Sequence, residues 1–83
     1  MALRLVFLGR LEDAAGEAER DVMHVPSYDL LLAGLETDLV AALADPRVKL
    51  AVNGEIATDR GTLVLADGDE LAFLPPVSGG RAA

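Results

Sequence analysis

The 83-residue chain has no cysteine and no tryptophan, and only one histidine, one tyrosine and two phenylalanines. The missing thiols exclude a disulfide framework, a thiolate zinc cluster, and a persulfide or thioester carried on the chain's own sulfur. Small secreted domains often need disulfides, so their absence favours a cytoplasmic location. No apolar run approaches the roughly 20 residues that span a bilayer. No basic segment followed by an apolar one opens the chain as a secretory signal would. Cations are scarce: seven Lys and Arg stand against 14 Asp and Glu, giving a formal net charge of −7. Such a surface is repelled by phosphate backbones, which argues against nucleic acid as a partner. It would be steered towards a basic protein surface. Excess acid also keeps a small, apolar-rich protein soluble, and the charge alone does not separate these two readings.

What is present is enough apolar material for one core. Hydrophobic residues make up 52% of the chain, with a mean hydropathy of +0.34. A single domain of this size leaves little room for an enclosed cofactor pocket. A carrier, modifier or binding module is therefore expected before a self-sufficient enzyme. "ALRLVFLG" predicts a first strand, with Leu3, Leu5 and Phe7 on one face and Arg4, Val6 and Leu8 on the other. "GRLEDAAGEAE" predicts a connection with a helical turn over Leu11–Ala15. "RDVMHVP" predicts a second strand, stopped by Pro26. Ser27 is placed to cap a helix beginning near Tyr28. The apolar residues from Leu30 to Leu43 fall near helical spacing. Gly34 and Thr37 weaken the middle, which leaves one helix or two pieces with a kink. Asp45-Pro46 ends it.

In "RVKLAVNGEIA", Val48, Leu50 and Val52 alternate, and Asn53-Gly54 supplies the positive-φ pair of a tight turn. A short strand is expected at Leu63–Leu65, then a turn at Asp67-Gly68 and a last strand, "ELAFL". Pro75-Pro76 cannot donate to a ladder and ends the sheet. The order is two strands, a helix, then two or three strands. By analogy this is an α+β, ubiquitin-like β-grasp plan: a mixed sheet with one main helix packed across one face, the last strand beside the first. Residues 1–76 would form the domain and 77–83 a flexible C-terminal tail.

Most polar residues read as ordinary structure. His24 is a surface or edge residue rather than a metal ligand or catalytic base. Asp67, Asp69 and Glu70 lack calcium-loop spacing and suit turn chemistry, so no metal site is expected. Ser27 and Ser78 have no base near them in sequence and no nucleophile-elbow context. The glycines before the tail are scattered turn residues, not a phosphate-binding loop.

The tail "PPVSGG" is different. Pro75 and Pro76 launch the chain stiffly, and Gly79-Gly80 can enter a channel too narrow for other residues. That pattern suits delivery of a terminal group into another protein's active site; a frayed terminus is the alternative. If the first and last strands pair, Val6, Leu8, Ala72 and Leu74 lie side by side at the root of the tail. Unless a second layer or the loop at Leu11 covers them, they form an apolar docking patch.

"KLAVNGE", "LADGDELAFLPPVSGG" and the opening "LRLVFLGRLEDAAG" together resemble the small subunit of molybdopterin synthase, a MoaD/ThiS-like β-grasp sulfur carrier. The likeness runs from about Leu3 to Gly80. It implies that Gly80 bears a thiocarboxylate, formed after adenylation with ATP by a ubiquitin-activating-like adenylyltransferase. No cofactor would be bound to the chain itself. It further implies that Pro75, Pro76, Val77, Ser78 and Gly79 form the threaded tail, and that the large synthase subunit is the partner. There the sulfur would pass to a cyclic pyranopterin in molybdenum-cofactor synthesis. Val6, Leu8 and Leu74 would be the docking patch.

The departure is Arg81-Ala82-Ala83. Family members typically end at the second glycine, and Gly80 inside a peptide bond cannot be adenylated. Three readings stay open: a protease trims the tail, the residues were added for expression, or the chain only docks. The intact pattern up to Gly80 favours the first two. Alternatives at the level of function are a carrier for thiamine or cysteine synthesis, a ubiquitin-like modifier joined to target lysines through Gly80, and a plain binding module.

Overall fold

The computed structural model describes residues 2–76. Its strands are β1 (Ala2–Phe7), β2 (Glu19–Met23), β3 (Lys49–Val52), β4 (Glu55–Ile56) and β5 (Glu70–Leu74). Its helices are α1 (Arg10–Ala15), α2 (Tyr28–Ala33) and α3 (Thr37–Leu43), with a 3-10 turn at Arg60–Thr62. The sheet order is β2-β1-β5-β3-β4. β1 and β5 are parallel, and the other neighbours are antiparallel. The last strand thus lies beside the first, and the fold is the mixed-sheet β-grasp expected from the strand order.

The period-two pattern of the strands sets the core. Leu3, Leu5 and Phe7 of β1, Leu50 of β3, and Leu71 and Phe73 of β5 point to one face and are buried. Tyr28, Leu31, Leu39 and Leu43 of the helices close over them, with Leu11 and Leu65 at the sides. In the parallel pair, Phe7 faces Phe73 with stacked rings, centroids 5.6 Å apart. Each such buried side chain contributes about 1.5–3 kcal/mol over its exposed state.

Two arginines pin the periphery. The Arg20 guanidinium lies 5.8 Å from the Phe7 ring centre and donates to Glu36, Glu17 and the Ala15 carbonyl. Those bonds, to Glu36 first, raise Arg20 above its ordinary value and hold the Glu36 carboxyl below the usual carboxylate range. Arg60 stacks on Tyr28 and donates to the Val48 carbonyl, tying the 3-10 turn to the core. Burial pushes the Tyr28 phenol up, and Arg60 opposes this.

Local signals explain the boundaries. Ser27 Oγ accepts from Leu30 N–H at 3.2 Å, the cap expected at the start of α2. Asn53 and Gly54 both have positive φ, 51° and 87°, and join Val52 to Glu55 as a two-residue hairpin turn. Of the two readings of the helical segment, the broken one holds: α2 stops before Gly34 and α3 restarts at Thr37. Glu36 stands at the start of α3, but its side chain is drawn to Arg20 instead of capping the helix.

One expectation fails. Leu63–Leu65 forms no strand. Leu65 N–H donates to Pro26 O, and His24 Nε2 bonds Leu65 O at 2.8 Å. The facing segment contains Pro26, which has no N–H, so these isolated bonds cannot propagate into a ladder. The second strand also ends at Met23, short of Pro26, where its pairing with Ala2 is the last step of the ladder.

Candidate functional site

Among the described residues, α1, α2 and α3 all pack on one face of the sheet, and no element covers the other. Register places Val6, Ala72, Ala51 and Ile56 in one row across four strands of the open face. One step nearer the end of β5, Leu74 lies opposite the exposed Lys49. Leu8 continues beside β5, its N–H donating to Phe73 O at 3.2 Å. Leu8 is 41% exposed and Ile56 54%, whereas Val6, Ala72 and Leu74 are half-buried by their neighbours and Ala51 is buried. Leu11 faces the core on the helix side, so it does not cover this strip. In the opposite direction the face turns polar: Arg4 pairs with Glu19 and Asp21 at 3.2 and 3.3 Å. These exposed pairs contribute little stability, but they end the apolar strip sharply.

The strip runs to the point where the chain leaves the sheet. Pro75 follows Leu74 directly and packs against Gly9, in the turn after β1. Gly9 has φ 55° and ψ −134°, a conformation reserved for glycine. A Cβ there would sit 2.9 Å from Pro75 Cγ. Gly9 therefore admits the proline ring and fixes the placement of Pro75 as it leaves the sheet. Sequence reasoning passed over Gly9 as a simple turn residue. Ala51 and Ile56 were missed as well, because they join the strip only through the pairing of β3 with β5 and β4.

Of the residues singled out in the sequence, Val6, Leu8, Leu74 and Pro75 are brought together, whereas Pro76 lines a separate groove on the helix side with Leu11, Ala14 and Ala41. Val77, Ser78, Gly79 and Gly80 lie outside the described residues, as do Arg81, Ala82 and Ala83. The acidic turn is occupied by main-chain bonds. Asp67 accepts from Ala2 N–H at 2.7 Å. Asp69 accepts from Ala66 N–H at 2.8 Å and from Asn53 Nδ2 at 2.9 Å, and these donors hold its carboxyl below the usual range. Asn53 in turn accepts from Glu70 N–H, so the two turns brace each other. Among the described residues, no group of three histidine or carboxylate side chains gathers as metal ligands. None of the described helices is long and apolar enough to cross a membrane.

This arrangement sets the point where Pro75 leaves the sheet beside an apolar strip. The ThiS family profile matches residues 5–80. No curated protein matches the chain in sequence. Among solved structures, small archaeal modifier protein 1 (SAMP1) of Haloferax volcanii is 27% identical, with a TM-score of 0.74 over 96% of this chain and 100% of that one. The putative molybdopterin converting factor subunit 1 of Pyrococcus furiosus is 21% identical, with a TM-score of 0.71 over 93% and 99% of the two chains. The complex of subunits 1 and 2 of the molybdopterin-converting factor from Helicobacter pylori contains a chain 23% identical. Its TM-score is 0.67, over 96% of this chain and 100% of that one. The last two show the shared fold.

Proposed function

The chain belongs to the ThiS family, and from that premise we propose that it is a sulfur carrier whose Gly80 carboxyl is the group delivered. The observation that supports this reading is the continuity of the open apolar strip with Pro75, where the chain leaves the sheet. Docking through Val6, Leu8 and Leu74 would leave Val77, Ser78 and Gly79 to thread Gly80 into a partner's active site. Holding a reactive terminus in place is worth several orders of magnitude in effective concentration.

The chemistry sets the order of events. The Gly80–Arg81 peptide bond must first be hydrolysed, by a trimming protease, to free the carboxylate. A carboxylate is a poor electrophile, so it attacks the α-phosphate of ATP on an adenylyltransferase and releases pyrophosphate. A sulfur nucleophile then displaces AMP from the acyl-adenylate and leaves a thiocarboxylate. ATP is consumed by the activating enzyme, and these steps fit a cytoplasmic location.

Within this class, the run from Asp67 to Gly80 favours molybdopterin synthesis, with the large synthase subunit as docking partner and a cyclic pyranopterin as acceptor. The Helicobacter pylori structure is itself a complex of subunits 1 and 2. A second reading has a specific observation behind it: SAMP1, a modifier by name, is more similar in sequence than either molybdopterin-related structure. In that reading a target lysine, not sulfur, displaces AMP and forms an isopeptide with Gly80.

The test is intact mass of the protein purified from its own cells under conditions that preserve thiocarboxylates, together with a blot for conjugates. Chains ending at Gly80 with one oxygen replaced by sulfur support the carrier. High-mass conjugates without the sulfur form support the modifier. Chains that keep Arg81–Ala83 throughout, with no conjugates, would sink both.

A further inference from the structure

Among the described residues, β2 is an outer strand of the sheet and pairs with β1 alone. The phase of that pairing can be read. Phe7 N–H donates to Ala18 O at 2.8 Å, which makes Phe7 and Ala18 a hydrogen-bonded pair. In an antiparallel ladder such pairs alternate with non-bonded ones. Arg20 and Val22 therefore turn their backbone groups towards β1. Glu19, Asp21 and Met23 turn theirs to the free edge.

Beside this edge, on the helix side, lies an apolar groove of about 220 Å³. Val22, Met23 and Val25 form one wall, and Leu30, Leu31 and Leu35 the other. Met23 is 81% exposed and Leu30 53%, two of the few large apolar side chains left in solvent. A strand added to β2 would project alternate side chains into this groove. The surroundings are acidic. Glu19 and Asp21 flank the edge from the open-face side, where both pair with Arg4, and Asp29 and Glu36 flank it from the helix side. The two nearby cations, Arg4 and Arg20, are already engaged with carboxylates. With a net charge of −7, a second copy of the chain would be repelled from this edge, whereas a basic segment would be drawn to it.

We propose that the free edge of β2 and the groove between it and α2 form a docking site for an extended peptide of a partner protein, apolar at alternate positions and flanked by lysine or arginine. The site opens on the helix side, away from the Val6–Leu8–Leu74 strip, so both can be occupied at once. It does not depend on what chemistry Gly80 undergoes.

The test uses the full chain and the synthetic peptide Lys-Lys-Val-Thr-Ile-Thr-Val-Lys-Lys, followed by NMR. The expected result is shifted amides at Glu19, Asp21 and Met23 and shifted methyls at Leu30, Leu31 and Leu35. Amide exchange at those three edge residues should slow. A peptide with glutamate in place of every lysine should bind about tenfold more weakly or worse. Asp21→Pro removes one outward N–H and leaves the backbone ladder to β1 in place while losing the exposed Arg4–Asp21 pair, and it should weaken binding about fivefold or more, the equivalent of at least one hydrogen bond. Should that variant misfold, Leu30→Glu, at an exposed helix position, tests the groove instead and should weaken binding by at least as much. No shifts at millimolar peptide would overturn the proposal, as would shifts confined to Val6, Leu8 and Leu74. Equal affinity for the glutamate peptide would do so too. Concentration-dependent shifts at residues 19–23 in the free protein would name a second copy as the occupant and equally defeat it.

Discussion

Asp69 and Gly9 show how single residues hold the two ends of this domain in register. The Asp69 carboxylate accepts from Ala66 N–H and from Asn53, and its pKa is lowered in the folded state. The unfolded chain, with an aspartate pKa of about 4, therefore binds the proton more readily. The stabilisation is fully present above that value and is lost as pH falls through the lower folded value. In Asp69→Asn the urea midpoint should drop at pH 7, and the further loss on going to pH 3 should be smaller than in the wild type. Equal acid losses in both proteins would remove Asp69 from the account. Gly9 acts through space, not charge. Gly9→Ala places a methyl 2.9 Å from Pro75 Cγ and strains a backbone only glycine adopts easily. It should cost about 1–3 kcal/mol in urea unfolding. If Gly80 is the delivered terminus proposed above, the variant should also lower the yield of activated Gly80 at temperatures where it is fully folded, because Pro75 shifts. A stability loss with unchanged activation would show that the direction of exit does not matter.

Among the elements, those written in a two-residue period were legible from sequence, because alternate side chains of a half-buried strand must differ. The inward faces of β1 and β5 follow from "LRLVF" and "ELAFL". The Asn53-Gly54 hairpin and the Ser27 cap follow from residues with one dominant local use. The candidate site was legible where it sits on β1 and β5. Its extension to Ala51 and Ile56 depends on long-range register, which no local pattern encodes. The Gly9–Pro75 contact joins residues far apart in sequence and was equally hidden. Leu63–Leu65 was misread because a short apolar run, Leu-Val-Leu, followed by a turn signal is strand-like, while the segment it meets contains Pro26. The break between α2 and α3 is a tertiary effect as well, with Arg20 holding Glu36 outside the helix. Gly34 is thus not required by its backbone: its φ is −93°, and an added Cβ would make only an ordinary 3.6 Å contact with Leu31 O. Gly34→Ala should leave the break in place and raise stability by about 0.4–1 kcal/mol, by narrowing the unfolded ensemble. A urea titration with unchanged m-value would bear this out. A destabilised variant would mean that α2 and α3 need the glycine to turn.

For the whole molecule, charge and apolar surface should act at different stages of docking. A net charge of −7 produces a field that draws a basic partner over distances of about a Debye length, ~10 Å at 0.1 M salt. The open strip of Val6, Leu8, Ala72 and Leu74 acts only once the surfaces touch. Steering therefore belongs to the association rate, and desolvation of the strip to the dissociation rate. Leu8→Asp separates the two. Leu8 lies beyond the last residue of β1 and is partly exposed, so the fold should change by no more than about 0.5 kcal/mol. Its acidic replacement leaves the sign of the field intact. Against the large synthase subunit or the adenylyltransferase, stopped-flow association should stay within about threefold of wild type. Dissociation should accelerate by about tenfold or more, as for loss of a central apolar contact. Raising salt from 50 to 300 mM should slow association of both proteins alike and leave their dissociation rates nearly unchanged. If Leu8→Asp instead leaves dissociation untouched, the strip is not the docking face, and the Pro75-Pro76 exit must be presented by another surface.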